Sequence, residues 1–152
     1  MKRTDREITD RNEIDKIIHS CDVCHLAFAA GGDPYVVPVS YGYDGNCLYF
    51  HTAHEGKKID FIDANPKVCF EMEHHVRLVS DDSSPCSWTF KYESVIGYGR
   101  IEELTTPEDR STGLNQLVFH YSGRGWEFEP HELTSARIWR VVIESVTGKR
   151  SE

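Results

Sequence analysis

Apolar residues change their spacing several times along this chain, and each change marks an element. After Asp10, the residues Ile14, Ile17, Ile18 and Cys21 recur at helical intervals. Asp10-Arg11-Asn12-Glu13 reads as a capping box that opens this helix. From Val23 the period shortens. Residues 23–30 predict a strand, Gly31-Gly32 a hairpin turn, and residues 35–43 a second strand. Pro38 has no N–H to give to a ladder, so it places an edge or a bulge within that strand. Asp44-Gly45 makes the next turn, before a third strand over residues 47–52. Ile59 and Ile62 mark the inward face of a short helix over about residues 55–64, stopped by Asn65-Pro66.

Val68, Phe70 and Met72 then alternate with Cys69, Glu71 and Glu73, the pattern of a half-buried strand. Residues 88–104 read as strand again, with Gly97 and Gly99 permitting a bend or a close backbone approach. Thr106-Pro107 opens a helix whose apolar face is Leu114, Leu117, Val118 and Tyr121. A last strand covers about residues 137–146. Regular strand–helix alternation is absent, so a doubly wound parallel sheet is not expected. The order favours an α+β, mainly β fold: a small closed or split antiparallel barrel with peripheral helices.

Composition narrows the function. At 152 residues the chain predicts a single domain, residues 1–152. Its 17 Lys+Arg against 25 Asp+Glu leave a charge of −8, which argues against a nucleic-acid partner or an anionic membrane surface. No apolar run approaches the ~20 residues that span a bilayer, and Met1-Lys2-Arg3-Thr4-Asp5-Arg6 carries no apolar leader, so a cytoplasmic location is expected.

Two groups of residues suggest chemistry. Cys21-Asp22-Val23-Cys24-His25 has the C-x-x-C-H spacing of covalent haem attachment. It straddles a helix end and a strand start, however, and the five cysteines read as reduced packing thiols. A zinc site that adds His51 and His54 has the wrong spacing, and His74-His75 looks like an exposed strand end, so no metal is expected. The more informative stretch runs from His51 to Lys58, where a strand meets a helix. A helix start offers free amides and partial positive charge, which suit a phosphate. Thr52 adds a hydroxyl, and Lys57-Lys58 can neutralise a dianion. The competing reading is a solvated helix start with ordinary surface lysines.

The whole pattern resembles a known family. The segments Pro34-Tyr35-Val36-Val37-Pro38-Val39-Ser40-Tyr41, Leu48-Tyr49-Phe50-His51-Thr52-Ala53, Gly56-Lys57-Lys58 and Asn65-Pro66-Lys67-Val68-Cys69-Phe70 are similar to the FMN-binding split barrels related to pyridoxamine 5′-phosphate oxidase. Within that group the chain looks most like the nitroimidazole-resistance flavoproteins. Trp88, the run Tyr92 to Gly99, and Val146-Thr147-Gly148-Lys149 add to the match. The resemblance implies a six- to seven-stranded antiparallel split barrel, a homodimer, and FMN at the subunit interface. It implies Thr52, Lys57 and Lys58 at the phosphate, and Val37, Pro38, Val39 and Ser40 along the flavin. It also implies His51 beside the ring as the catalytic candidate, with Trp88, Tyr92, Ser94 and Val95 approaching from the same or the partner subunit. The oxidase has an Arg-Lys pair where this chain has Lys57-Lys58, which keeps the charge but loses bidentate geometry. No C-terminal arginine pattern for a vitamin B6 substrate is evident. The implied activity is electron transfer from NAD(P)H to a small acceptor such as a nitroaromatic; the alternative is a non-catalytic protein holding flavin or another cofactor.

Overall fold

The computed structural model describes residues 2–152, and eight strands within them join in one antiparallel sheet. In chain order the elements are β1 (Glu7–Ile8), α1 (Arg11–Ser20), β2 (Cys24–Ala30), β3 (Asp33–Val39), β4 (Gly42–Tyr43) and β5 (Cys47–Thr52). Then follow α2 (Lys57–Ala64), β6 (Lys67–Val79), β7 (Thr89–Leu104), α3 (Pro107–Ser122) and β8 (Arg137–Ser151). The strands lie side by side as β3-β2-β6-β7-β8-β5-β4, and the two end strands do not pair, so the barrel stays split. β8 is the common seam. One of its edges pairs with β7 from Ile138 to Ser151, while the other takes β5 at its start and β1 at Gly148 and Lys149.

Eight strands stand where six or seven were expected. One addition is β1. The other arises because the expected strand over residues 35–43 breaks at Ser40-Tyr41 into β3 and β4. Tyr41 is buried; its hydroxyl reaches the main-chain carbonyls of Ile18 and Cys21, and its N–H donates to the Tyr121 hydroxyl at 3.1 Å. Those bonds take the residue out of the ladder. The last strand also runs beyond residue 146, because Gly148 packs closely on Ile8 and Ile14.

Local chemistry accounts for most element boundaries. Gly31 and Gly32 have φ of 57° and 86°, the left-handed pair that a tight two-residue hairpin needs. Asp10 accepts from the N–H of Asn12 at 3.0 Å, but Glu13 turns to Arg150 and Lys16, so only half of the expected capping box forms. Gly56 has φ 142°, open to glycine alone, and α2 therefore starts at Lys57 rather than near residue 55. Thr106 caps α3 by accepting from the N–H of Asp109 at 3.1 Å.

The main core lies inside the barrel. Ile14, Ile17 and Ile18 of α1 plug it against Leu26, Phe28, Phe50, Phe70, Met72, Val95 and Trp139. Each such side chain contributes about 1.5–3 kcal/mol by leaving water. A Cβ on Gly97 would stand 2.2 Å from Phe70 Cζ, so the β7 backbone rests directly on that ring. A smaller cluster of Cys47, Tyr49, Leu104 and Ile138 sits on the opposite face of β5 and β8, covered by α3. Within α3, Leu117 and Gly113 are buried, while Tyr121 is largely exposed and acts through its hydroxyl. Among the described residues no helix is long and apolar enough to cross a membrane.

Candidate functional site

At the end of β5 successive side chains part company. His51 is exposed, whereas Thr52 is buried with the core. The Thr52 hydroxyl donates to the carbonyl of Ala53 at 2.8 Å and accepts from the indole N–H of Trp139 at 2.9 Å. In this arrangement it fixes the turn into α2. A phosphate contact through the same hydroxyl proton would require it to leave Ala53.

The turn delivers Lys57 and Lys58 as the first two residues of α2, with no side chain capping the helix start. Lys57 Nζ lies 4.6 Å from the centre of the Tyr35 ring on β3, and Tyr35 stacks on Phe61 of α2 at 5.1 Å. This contact docks the open N-terminus of α2 against β3. Among the described residues neither lysine is ion-paired with a carboxylate. Lys57, Lys58 and the uncapped first turn of α2 are the donors on this acidic protein that could hold an anion.

β3 alternates beside that site. Val37 and Val39 are half-buried and pack on the core, while Pro38 and Ser40 are exposed. Beyond His51, Arg137 pairs with Glu103 at 2.8 Å, donates to the carbonyl of His54 at 3.2 Å, and sits over the ring of Trp139. His54, Glu103, Arg110 and Arg137 line a cleft of about 430 Å³. Neither Tyr35 nor Arg137 is evident as a site residue from sequence, since each acts through a neighbour distant in the chain.

The remaining candidates lie elsewhere. Trp88 is exposed and its indole N–H donates to the carbonyl of Asp81 at 2.7 Å. Tyr92 lies beside Lys149, which hydrogen-bonds its phenol and holds it below the usual tyrosine range. Ser94 is half-buried between Glu73 and Lys149, and the Val95 side chain is in the core. A cleft of about 660 Å³ opens at Tyr92 rather than at His51. His51 pairs with Ile138 at the start of β8 and Tyr92 with Ser151 at its finish, roughly 40 Å apart along the strand. Within a single chain Tyr35 of β3 docks on Lys57 at the start of α2, Val37 to Ser40 follow it along and just beyond that strand, and Thr52 sits in the turn that leads to α2; Tyr92 stands at the other end of β8, with Trp88 just ahead of β7.

The C-x-x-C-H stretch does not converge on one site. Cys24 faces the core and His25 the outside, where His25 Nδ1 lies 3.1 Å from Glu71 and 3.6 Å from Glu73. Burial pushes the Cys21 thiol up to about 12 and that of Cys24 higher still, which keeps both protonated. Burial, reinforced by Glu73 alongside, likewise raises the Glu71 carboxyl to about 7, against the opposing pull of His25.

Comparison with known proteins bears on this geometry. The profile of the pyridoxamine 5′-phosphate oxidase family matches residues 10–150. A candidate 5-nitroimidazole antibiotic resistance protein of Bacteroides thetaiotaomicron is 28% identical, with a TM-score of 0.83 over 96% of this chain and 90% of that one. A FAD-binding protein of Mesorhizobium loti is also 28% identical, with a TM-score of 0.72 over 97% and 98% of the two chains. An uncharacterized protein of Rhizobium meliloti is 31% identical over 97 residues, which span 64% of this chain and 56% of that relative.

Proposed function

Because this chain belongs to the pyridoxamine 5′-phosphate oxidase family, we propose that it is an FMN-dependent reductase, working as a homodimer and passing electrons from NAD(P)H to a small acceptor such as a nitroaromatic compound. The observation that carries this reading is the docking of α2 on β3 through Lys57 and Tyr35. It sets an unneutralised lysine pair and open helix amides beside the strand on which the flavin ring is expected to lie. The donor set fits a phosphate: two cations and a helix start, with no competing carboxylate paired to them.

Bound flavin supplies the hydride and electron chemistry. Lys57 and Lys58 neutralise the phosphate, and the exposed backbone around Pro38 and Ser40 presents polar groups to the ring edge. Thr52, tied to Trp139 and Ala53, holds the turn in register. His51, free of any packing duty, orients the acceptor or hands it a proton. Trp88 and Tyr92 lie at the far end of β8 from His51, so they reach this site from the second subunit. Two copies then complete two equivalent sites.

The purified protein should be yellow, elute as a dimer, release FMN on denaturation as identified by mass, and oxidise NAD(P)H when a nitroaromatic acceptor is present. Protein that is colourless and takes up no added FMN refutes the proposal. Release of FAD instead replaces the cofactor, and a flavin spectrum without turnover leaves a binding protein in place of an enzyme.

A further inference from the structure

β6 and β7 carry a group of side chains that the flavin reading does not use. His74 and His75 are consecutive on β6, and in a regular strand consecutive side chains leave on opposite faces. Here the pairing with β7 slips between His74 and Arg77, and His75 has φ 54°, the one left-handed non-glycine residue among those described. Such a backbone is strained for a non-glycine residue and persists only where its surroundings hold it. Its effect is to bring the two imidazoles together, with ring centres 4.0 Å apart.

Glu93 faces them from β7, where it is the register partner of His74. His74 Nε2 lies 3.1 Å from a Glu93 oxygen, and its side chain is only 13% exposed. The ring edge is nevertheless misaligned with that oxygen, and Nε2 is buried with no hydrogen-bond partner. The other Glu93 oxygen is held by Arg150, which donates to it at 2.8 and 2.5 Å and also reaches Glu13 at 3.1 Å. One carboxylate oxygen and two imidazoles therefore face one another, and one nitrogen has no partner.

We propose that His74, His75 and Glu93 bind one divalent transition-metal ion of the zinc class, with water completing its coordination. The three ligand atoms lie within 4.8 Å of one another. Bonds of about 2.0–2.1 Å around a tetrahedral ion space its ligands about 3.4 Å apart, so the His74–Glu93 pair is already close to that spacing and the exposed His75 ring closes the remainder. Two nitrogens and one oxygen suit zinc and its neighbours in the first transition row better than calcium or magnesium, which take oxygen sets. Arg150 supplies the outer hydrogen bonds that orient a ligating carboxylate. The ion gives the buried Nε2 its missing partner and clasps the bulge of β6 to β7. His25, Glu71 and Glu73 form a second group within the same span, but there the imidazole already bonds to Glu71.

The test is a zinc titration by calorimetry on tag-free, chelator-treated full-length protein, together with a cobalt(II) difference spectrum. One ion per chain is expected, with intense visible cobalt bands of four- or five-coordination. His75→Asn tolerates the left-handed backbone and so spares the fold; it should weaken zinc binding roughly 100-fold and abolish the cobalt bands. His74→Ala should do the same, and His25→Ala should bind normally. Absence of stoichiometric binding overturns the proposal, as does unchanged binding by His75→Asn. Loss of binding in His25→Ala with retention in His75→Asn assigns the ion to the neighbouring group and also overturns it. None of these readouts depends on flavin.

Discussion

The start of α2 and the far end of the β6–β7 arm are built on opposite plans. At α2 the polar groups face solvent and the apolar ones are satisfied: Lys57 and His51 are exposed, while Ile59, Ile62 and Phe50 are buried beneath them. At the arm the apolar groups are themselves exposed. Leu78 and Phe90 are direct cross-strand partners, and both are half-exposed, as are Val76 and Trp88. A charged surface over a finished core can bind a small anion unaided. An exposed row of large apolar side chains at the tip of a strand pair calls for a covering surface. On the dimer proposed above, the two halves of the flavin site would mature differently, one within the chain and the other on assembly.

The largest effect should come from the α2 side. Lys57→Glu combined with Lys58→Glu removes two charge-assisted contacts and adds repulsion; at about 1.5 kcal/mol or more per contact, FMN affinity falls at least about 100-fold in a fluorescence titration. The dimer should survive that change. Phe90→Glu should do the converse and convert the dimer to monomer in sedimentation, with the circular dichroism of the barrel preserved. A dimer that persists would erase the distinction between the two ends. Gly97→Ala strikes the core that both ends share: its new methyl collides with Phe70 and should cost about 2–3 kcal/mol, lowering Tm by about 4–12 °C.

Two smaller effects sharpen the comparison. Glu71 titrates near 7 in the folded chain against an ordinary 4.5, so the folded state binds more protons between those values and stability falls as pH rises through that window. Glu71→Gln should therefore raise Tm above pH 7 and leave it unchanged below pH 4.5. Its side chain is about a third exposed, and solvent screening limits the gain to about 1 kcal/mol. Thr106→Ala removes the cap of α3 and should cost about 1 kcal/mol, seen as a Tm lowered by 2–4 °C, with no change in flavin affinity.

What was legible in the sequence was whatever is encoded locally. Alternation at Val68, Phe70 and Met72, the Gly31-Gly32 turn and the Thr106 cap each depend on near neighbours, and each stands where it was read. The misses depend on partners far along the chain. Tyr41 leaves its strand for carbonyls of α1 and the hydroxyl of Tyr121, and Glu13 abandons its capping box for Arg150. Among the site residues, Lys57 and Lys58 were visible as a charge pair on an acidic chain, but the ring that Lys57 docks on was not. The His74-His75 pair reads as an exposed strand end because nothing in its spacing announces a left-handed residue. Only the slipped ladder does.

The edge strand β3 carries one further consequence. Pro34, Val36 and Pro38 pair with Ala29, Ala27 and His25, so the three share one phase of the ladder. Prolines cannot donate to β2, which makes this phase the outward-facing one. Of the three donors that the free edge of the sheet would present, two are missing, and Val36 alone holds out an N–H. A stray strand finds almost nothing there to zip onto. The split in the barrel can thus stay open to a ligand without inviting fibrillar stacking of one copy on the next.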